Sequence, residues 1–172
     1  MAAFLFGKMP AHGDFIRRGI GEDVAGELDD WLSSSLGEAA AIDDFDDLYA
    51  SAPAWRFIAG FGSRTMCGVI APSVDRVGRQ FPILAGVAAP ANDVGLVIDA
   101  CEALLYDAFG AGMTADALFG ALEDFPGGET AYAPPPHGWF LEDEDKVVVT
   151  RLDGDRPPRL VRRMVESARL RS

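Results

Sequence analysis

His12 and Asp14 are the residues whose types and spacing come nearest to proton-transfer chemistry. A histidine two positions before an aspartate supplies a general base and a carboxylate to orient it. With Asp75 as a further acid, this pair defines one hypothesis, a small hydrolase. No nucleophile accompanies the pair locally. A second interpretation is therefore favoured, in which Asp14 caps a helical turn and His12 hydrogen-bonds within its loop.

Two other patterns fall short of a catalytic or phosphate-binding site. Ser73 lies in the string PSVD, which lacks the glycines that expose a nucleophilic serine on a strained turn. Lys8 follows a glycine, but Met9 and Pro10 stand where a phosphate-binding loop needs further glycine amides. Lys8 is therefore expected to pair with a carboxylate. The two His and two Cys are spread along the chain without metal-ligand spacing, so we predict no metal and no cofactor.

The segment 72–82 carries the most informative charges, because it is too long for a tight hairpin and too polar for a core strand. Within it, Asp75, Arg76 and Arg79 surround Gly78. A loop between buried strands can hold the aspartate against one guanidinium and present the other to a partner. An internal ion pair and an outward contact both remain open. We favour Arg79 as the structural partner of Asp75 and Arg76 as the exposed contact.

Hydrophobic periodicity predicts the elements that carry these residues. Apolar repeats of period three to four indicate helices, capped at Thr114 and at Asp43 or Asp44, and β-branched or aromatic runs indicate strands. The predicted helices cover 22–36, a short stretch with Leu48, Tyr49 and Ala52 that ends at Pro53, a stretch capped by Asn92 or Asp93 that ends at Phe109, then 115–123 and 157–168. The predicted strands cover 4–7, 55–61, 66–71, 83–89, 139–141 and 147–152, and 126–136 is predicted to be a loop. Alternation along a strand places Trp55 in the core and leaves Arg56 open between a structural role and a partner contact.

These elements predict an α/β fold, a single-domain layered α/β sandwich with a mixed β-sheet flanked by helices. Both helical crossovers and hairpins connect the strands, which favours a mixed sheet. With 172 residues, 49% of them apolar, the chain fits one domain over 1–172. Cys67 and Cys101 are expected to be reduced core thiols. We find no signal peptide pattern and no bilayer-spanning stretch, so a cytoplasmic location is expected.

The charge is strongly acidic and unevenly distributed. The net charge is −12, with ten acids over 22–47 and twelve over 80–145, and no Lys or Arg in either segment. Such a field opposes binding to nucleic acid and to anionic membranes. Residues 146–172 reverse the sign, with eight Lys or Arg against three acids. This basic segment fits either an acidic protein partner or internal pairing. We expect a monomer or a weak dimer.

Four segments, taken together, resemble the TagF family of bacterial type VI secretion, which is also called ImpM. They are GKMPAHGDFIRR at 7–18, Trp31, APAWRF at 52–57 and GVIAPSVDRVGRQFP at 68–82. The first and last are long, unusual strings that composition alone does not produce. The similarity is weaker beyond about residue 90, and the family's usual residues differ at Met9 and Gln80.

The resemblance implies a cytoplasmic, post-translational repressor of type VI secretion that acts by protein–protein interaction and is not an enzyme. It also implies a threonine-phosphorylation pathway and a forkhead-associated scaffold protein as partner. The family carries over no catalytic residues, so its motif positions are predicted to be structural or partner-binding. These positions are Lys8, Pro10, His12, Gly13, Asp14, Phe15, Arg18, Trp55, Arg56, Ser73, Asp75, Arg76, Gly78 and Arg79.

Two alternatives to a regulator stay open. The hydrolase requires His12, Asp14 and Asp75 to converge in a concave pocket. A structural accessory subunit of the secretion apparatus requires a large exposed apolar patch. For the regulator, the predicted contact surface combines residues 8–18 with residues 75–79.

Overall fold

A computed structural model of the chain describes residues 2–90, 92–125 and 137–171. The predicted loop 126–136 lies outside the described residues. The strands are β1 (Ala3–Gly7), β2 (Ile16–Arg18), β3 (Trp55–Phe61), β4 (Arg64–Ala71), β5 (Ile83–Ala88), β6 (Gly138–Glu142) and β7 (Val148–Leu152). The helices are α1 (Glu22–Ala39), α2 (Phe45–Ser51), α3 (Val94–Ala111), α4 (Ala115–Glu123) and α5 (Leu160–Ser167), and a 3₁₀ turn over Ala168–Arg171 follows α5.

The described strands form one sheet in the order β2-β1-β5-β4-β3-β6-β7, which confirms the α/β class. The expectation of a mixed sheet is wrong, because every ladder between these strands is antiparallel. The helical connections run from β2 to β3 and from β5 to β6, and neither pair is adjacent in the sheet. These connections therefore create no parallel neighbours of the kind that a βαβ crossover produces.

Helices cover both faces of the sheet, as predicted. One face packs on α3 and α4, and the other packs on α1, α2 and α5. On the second face Trp55 is fully buried, which confirms its place in the core, and its indole Nε1 donates to the hydroxyl of Ser167. The Trp139 ring lies 4.7 Å from the Phe57 ring, measured between centroids. Both cysteines are buried and unbonded thiols, as expected.

Local geometry differs from prediction at two short elements. Strand β2 was not predicted, because three residues are too few to show alternation. Helix α2 follows Asp44, which has a left-handed backbone with φ of 61° and makes no side-chain cap hydrogen bond. The predicted cap at α4 is confirmed, since the Thr114 hydroxyl accepts a hydrogen bond from the Ala117 N–H.

Gly7 determines how closely β1 approaches the segment that precedes β5. Its φ is 134°, a conformation that favours glycine. A Cβ at this position would lie 2.0 Å from the carbonyl oxygen of Pro82. Any larger residue must therefore displace the backbone of Pro82 and Ile83 or shift Gly7 itself, which precedes the motif segment 8–18.

We expect Gly7→Ala to lower the free energy of unfolding by about 3 kcal/mol or more, because backbone strain adds to the steric contact. Urea denaturation measures this loss. Gly37→Ala in α1 is the matched control, since no atom lies within 4 Å of its added Cβ. That variant should gain up to about 1 kcal/mol from helix propensity. Equal responses of the two variants would contradict the steric explanation.

Candidate functional site

The two long motif segments meet at one end of the sheet. Gly7, which ends β1, and Ala71, which ends β4, both pair with Ile83 at the start of β5. The segments that leave β1 and β4 therefore emerge side by side. We call the surface formed by residues 8–18 and 72–82 the loop face.

Asp75 lies at the centre of the loop face, with its side chain fully buried. Its Oδ1 accepts hydrogen bonds from the backbone N–H groups of Val77 and Arg79, each at 3.0 Å. Its Oδ2 accepts from Arg79 Nε at 2.6 Å and lies 3.3 Å from Lys8 Nζ. The expected Asp75–Arg79 pair is confirmed, and so is the expectation that Lys8 pairs with a carboxylate.

The donors around Asp75 keep it ionised. Burial by itself raises the pKa of Asp75, but hydrogen bonds from Arg79, Lys8 and the Val77 N–H outweigh burial and lower that pKa to about 2. A charged carboxylate inside the protein therefore holds two backbone amides and two cationic side chains in place.

Both arginines of the 72–82 segment also bind carbonyl groups of the other segment. Arg76 donates through Nη2 to the Ala11 carbonyl at 2.6 Å, and its backbone N–H donates to the His12 carbonyl at 2.8 Å. Arg79 donates through Nη2 to the Gly13 carbonyl at 2.8 Å. Arg76 is exposed as expected, but its guanidinium also has a structural role through the hydrogen bond to the Ala11 carbonyl.

Gly78 forms the turn that closes the 72–82 segment. Its φ of 88° is left-handed, and its N–H donates to the Asp75 carbonyl at 3.1 Å. Glycine adopts this conformation without strain. The turn brings the Arg79 backbone N–H and side chain back onto the Asp75 carboxylate.

Tyr49 of α2 holds the backbone of Ser73 by two hydrogen bonds. No sequence pattern predicted this contact. The Tyr49 hydroxyl donates to the Ser73 carbonyl at 2.8 Å and accepts from the Ser73 N–H at 3.0 Å. Burial raises the pKa of Tyr49, although the hydrogen bond to Ser73 opposes this effect. The Ser73 hydroxyl donates to the Lys8 carbonyl at 2.6 Å. Ser73 therefore joins the two segments of the loop face.

Two of the three groups of the hydrolase hypothesis, His12 and Asp75, are engaged in hydrogen bonds within the fold. His12 Nε2 accepts a hydrogen bond from the Ala115 N–H, at the start of α4, at 2.9 Å. Asp14 is exposed, whereas the oxygens of Asp75 are occupied by the donors described above. A general base needs a free lone pair directed at a substrate. In His12 the lone pair of Nε2 already accepts the hydrogen bond from α4.

Phe15 adds an aromatic group to the loop face. Its ring packs edge-on against Phe81, with centroids 4.7 Å apart, and Lys8 Nζ lies 5.1 Å from its centroid. Even so, Phe15 remains 49% exposed. Pro10 of the loop face is exposed and lines a cleft of about 270 Å³ together with Tyr49 and Phe109.

Arg18 and Arg56 are held by carboxylates of distant helices. Arg18 Nε binds Asp116 at 2.8 Å, which ties β2 to α4. The Arg56 side chain is 9% exposed and binds Asp99 and Glu102 on α3, both at 2.5 Å. These partners lie 43 and 46 residues away in sequence, so no local signal predicts them. Of the two roles left open for Arg56, the structure adopts the buried, structural one.

Glu142 completes the charge cluster around Arg56. Its Oε2 lies 3.6 Å from Arg56 Nε. Burial lowers the pKa of Arg56, but the hydrogen bond to Asp99 and the charges of Glu102, Asp99 and Glu142 raise it above its ordinary value. Burial raises the pKa of Glu142. The cluster joins β3, α3 and β6.

The C-terminal basic segment is largely paired internally. Five of its cations lie within 4.0 Å of carboxylates of the chain: Lys146 with Asp99, Arg151 with Asp153, Arg156 with Glu27, Arg159 with Glu38, and Arg162 with Glu38 and Glu166. Of the two alternatives for this segment, internal pairing is therefore the one that these contacts show.

Two kinds of feature are absent from the described ranges. None of their helices combines the length and apolarity that crossing a bilayer requires. Within the same ranges, no cluster of three or more His, Cys, Asp or Glu side chains is arranged to hold a metal ion.

Arg56→Ala should lower the free energy of unfolding by about 3 kcal/mol or more, because it leaves the buried Glu142 without its cation. Arg64→Ala, at an exposed position of β4, is the matched control and should change stability by less than about 0.5 kcal/mol. Chemical denaturation of both variants measures the difference. A loss for Arg56→Ala as small as that of the control would show that the cluster is not structural.

The ionised Asp75 should stabilise the fold in a pH-dependent way. Its pKa is lowered from 3.8 to about 2 on folding, so its contribution is present above about pH 4 and disappears as the pH falls through 2. Asp75→Asn should melt about 5 °C or more below the parent near pH 7. This gap should narrow between about pH 4 and pH 2. Asp14→Asn, at an exposed carboxylate, should melt close to the parent at every pH. A difference in melting temperature between Asp75→Asn and the parent that does not change with pH would contradict an ionised, stabilising Asp75.

Comparison with known proteins agrees with the resemblance seen in the sequence. Residues 5–124 match the family described as TagF N-terminal domain, type VI secretion system-associated. The chain is also similar to PA0076 from Pseudomonas aeruginosa PAO1, whose crystal structure superposes with a TM-score of 0.61. The two are 25% identical, over 96% of this chain and 78% of PA0076. No curated protein sequence matches. Because the family match spans well over half of the sequence, the chain belongs to the TagF family of type VI secretion-associated proteins.

Proposed function

We propose that this chain is a cytoplasmic, non-enzymatic regulator that represses type VI secretion after translation by binding another protein through its loop face. Membership of the TagF family links the chain to type VI secretion. The observation that carries the proposal is the rigid construction of the loop face around Asp75. Each segment is hydrogen-bonded to the other through Ser73, Arg76 and Arg79. A surface held in this way loses little conformational entropy when it binds a partner.

The polar groups of the loop face form hydrogen bonds within the fold, which supports a binding role rather than a catalytic one. His12, Ser73 and Asp75 are the residues that an acid–base or nucleophilic mechanism would need. Each is bound to backbone or to a neighbouring cation within the fold. Hydrogen bonds of this kind position a surface, whereas a catalytic group must exchange its proton with a substrate.

The distribution of apolar groups favours a regulator over a structural accessory subunit. A subunit packed permanently into an apparatus needs a large contiguous apolar patch. The large exposed apolar side chains of the described residues are instead few and spread along the chain, with Val147 and Val149 as neighbours on one hairpin: Phe15, Val77, Tyr106, Val147, Val149 and Leu170. This dispersion fits a monomer or weak dimer that engages its partner reversibly. The partner we propose, from the family resemblance, is a forkhead-associated scaffold protein of the secretion system.

The two arginines of the loop face provide the test, because they differ in their structural roles. Arg79→Ala removes one of the two cations on Asp75 and should lower the melting temperature by about 3 °C, a modest loss because Lys8 remains. Arg76→Ala loses the exposed hydrogen bond to the Ala11 carbonyl and should melt no more than about 2 °C below the parent, and it should relieve repression of type VI secretion in cells. Thermal melts and a secretion assay measure both effects.

Arg64→Ala serves as the control for the secretion assay, since Arg64 is exposed and lies outside the loop face. It should repress like the parent. If Arg76→Ala and Arg79→Ala both repress like the parent, the loop face is not the regulatory surface.

A further inference from the structure

The loop face is a basic patch on an acidic protein. Residues 8–18 and 72–82 together carry five Lys or Arg and two Asp, a balance of +3, whereas the whole chain carries −12. At physiological ionic strength, charges separated by more than about 8 Å are largely screened from one another. Arg17 and Arg18 face Glu22 and Asp116, which lie outside the two segments. The local positive potential is therefore concentrated around Lys8, Arg76 and Arg79, beside the Asp75 carboxylate.

Arg76 and Arg79 have guanidinium N–H donors beyond those used in their structural hydrogen bonds. Arg76 makes no ion pair with any carboxylate of the described residues, and one of its N–H groups binds the Ala11 carbonyl. The Arg79 side chain is 61% exposed although it binds Asp75. A guanidinium has five N–H donors in a planar fork that matches a carboxylate. Each arginine can therefore bind an acidic side chain of a partner without releasing its loop.

An apolar side chain lies between these two arginines. Val77, at the tip of the 72–82 segment, is 72% exposed, although its backbone N–H is fixed on Asp75. Half-exposed Phe15 adds an aromatic ring to the same loop face. Aromatic and arginine side chains are enriched at protein interfaces, and Val77 adds exposed apolar area beside them.

We infer that the loop face binds a short acidic segment of a protein partner that also carries a large apolar side chain. Carboxylates of that segment bind Arg76 and Arg79, and its apolar side chain contacts Val77 and Phe15. This inference rests on the proposed function, because it names the chemistry of the partner at the same surface.

Acids at the margins of the patch favour a short segment over an extended polyanion. Asp46 binds Gln80, Asp116 binds Arg18, and Glu22 lies near Arg17. A nucleic acid duplex or an anionic membrane covers a wider area and would bring its phosphates against these carboxylates.

Photo-cross-linking in cells tests the inference. Val77 is replaced by the photoreactive p-benzoylphenylalanine, and the cross-linked peptide is sequenced by mass spectrometry. Val149, which is 50% exposed on β7, is the matched control position. We expect the Val77 adduct to be a peptide with more Asp and Glu than Lys and Arg and with a large apolar residue, and we expect it to be absent from the control. A neutral or basic peptide, a nucleic acid or lipid adduct, or no adduct would overturn the inference.

Charge reversal tests the role of Arg76 within the same assay. Arg76→Glu should reduce the yield of the Val77 adduct about tenfold or more, whereas Arg76→Lys should retain it within about threefold. Equal yields from the two variants would overturn the inference. If Arg76→Ala relieves repression but the adduct is not acidic, the proposed function stands and this inference fails. If neither effect is seen, both fail.

Discussion

The ionised carboxylate of Asp75 is the group on which the arrangement of the loop face depends. A buried charge is costly unless donors surround it. Here the donors come from both segments, because Lys8 follows β1 whereas Arg79 and the Val77 amide belong to the 72–82 turn. Satisfying one carboxylate therefore fixes two stretches of chain that are far apart in sequence. The Gly7 backbone and the Gly78 turn permit this closeness.

Arg56 is a buried cation that needs surrounding carboxylates, just as Asp75 is a buried anion that needs surrounding donors. Its buried guanidinium draws carboxylates from α3 and β6 onto β3, so the sheet and the helix above it are connected by charge as well as by apolar contact. The C-terminal cations Arg156 and Arg159 also pair with α1, at Glu27 and Glu38, although these pairs are more exposed. An acidic chain thus uses most of its positive charge inside its own fold, and a basic patch that stays exposed becomes informative.

This use of charge bears on what a TagF-family chain of this kind can do. Polar groups that resemble catalytic residues in the sequence, such as His12 and Ser73, hold backbone in the structure. Rigid, hydrogen-bonded loops with exposed arginine and apolar side chains are suited to recognition, because little entropy is lost on binding. The contrast between satisfied internal groups and available outer ones supports the proposal of protein binding, whereas the proposed repressor role rests on the family resemblance.

The sequence by itself determined the family, the α/β class and the elements whose signals are local. Helix α4 lies where the Thr114 cap and apolar period predicted it, and the pair of Asp75 and Arg79 was predictable because the two residues are four positions apart in one loop. Only the tertiary structure decided the all-antiparallel strand order, the short strand β2, and the distant partners of His12 and Arg56. Periodicity shows which face of a segment is buried. It carries no information about which distant segment covers that face, because many pairings bury the same apolar surface equally well.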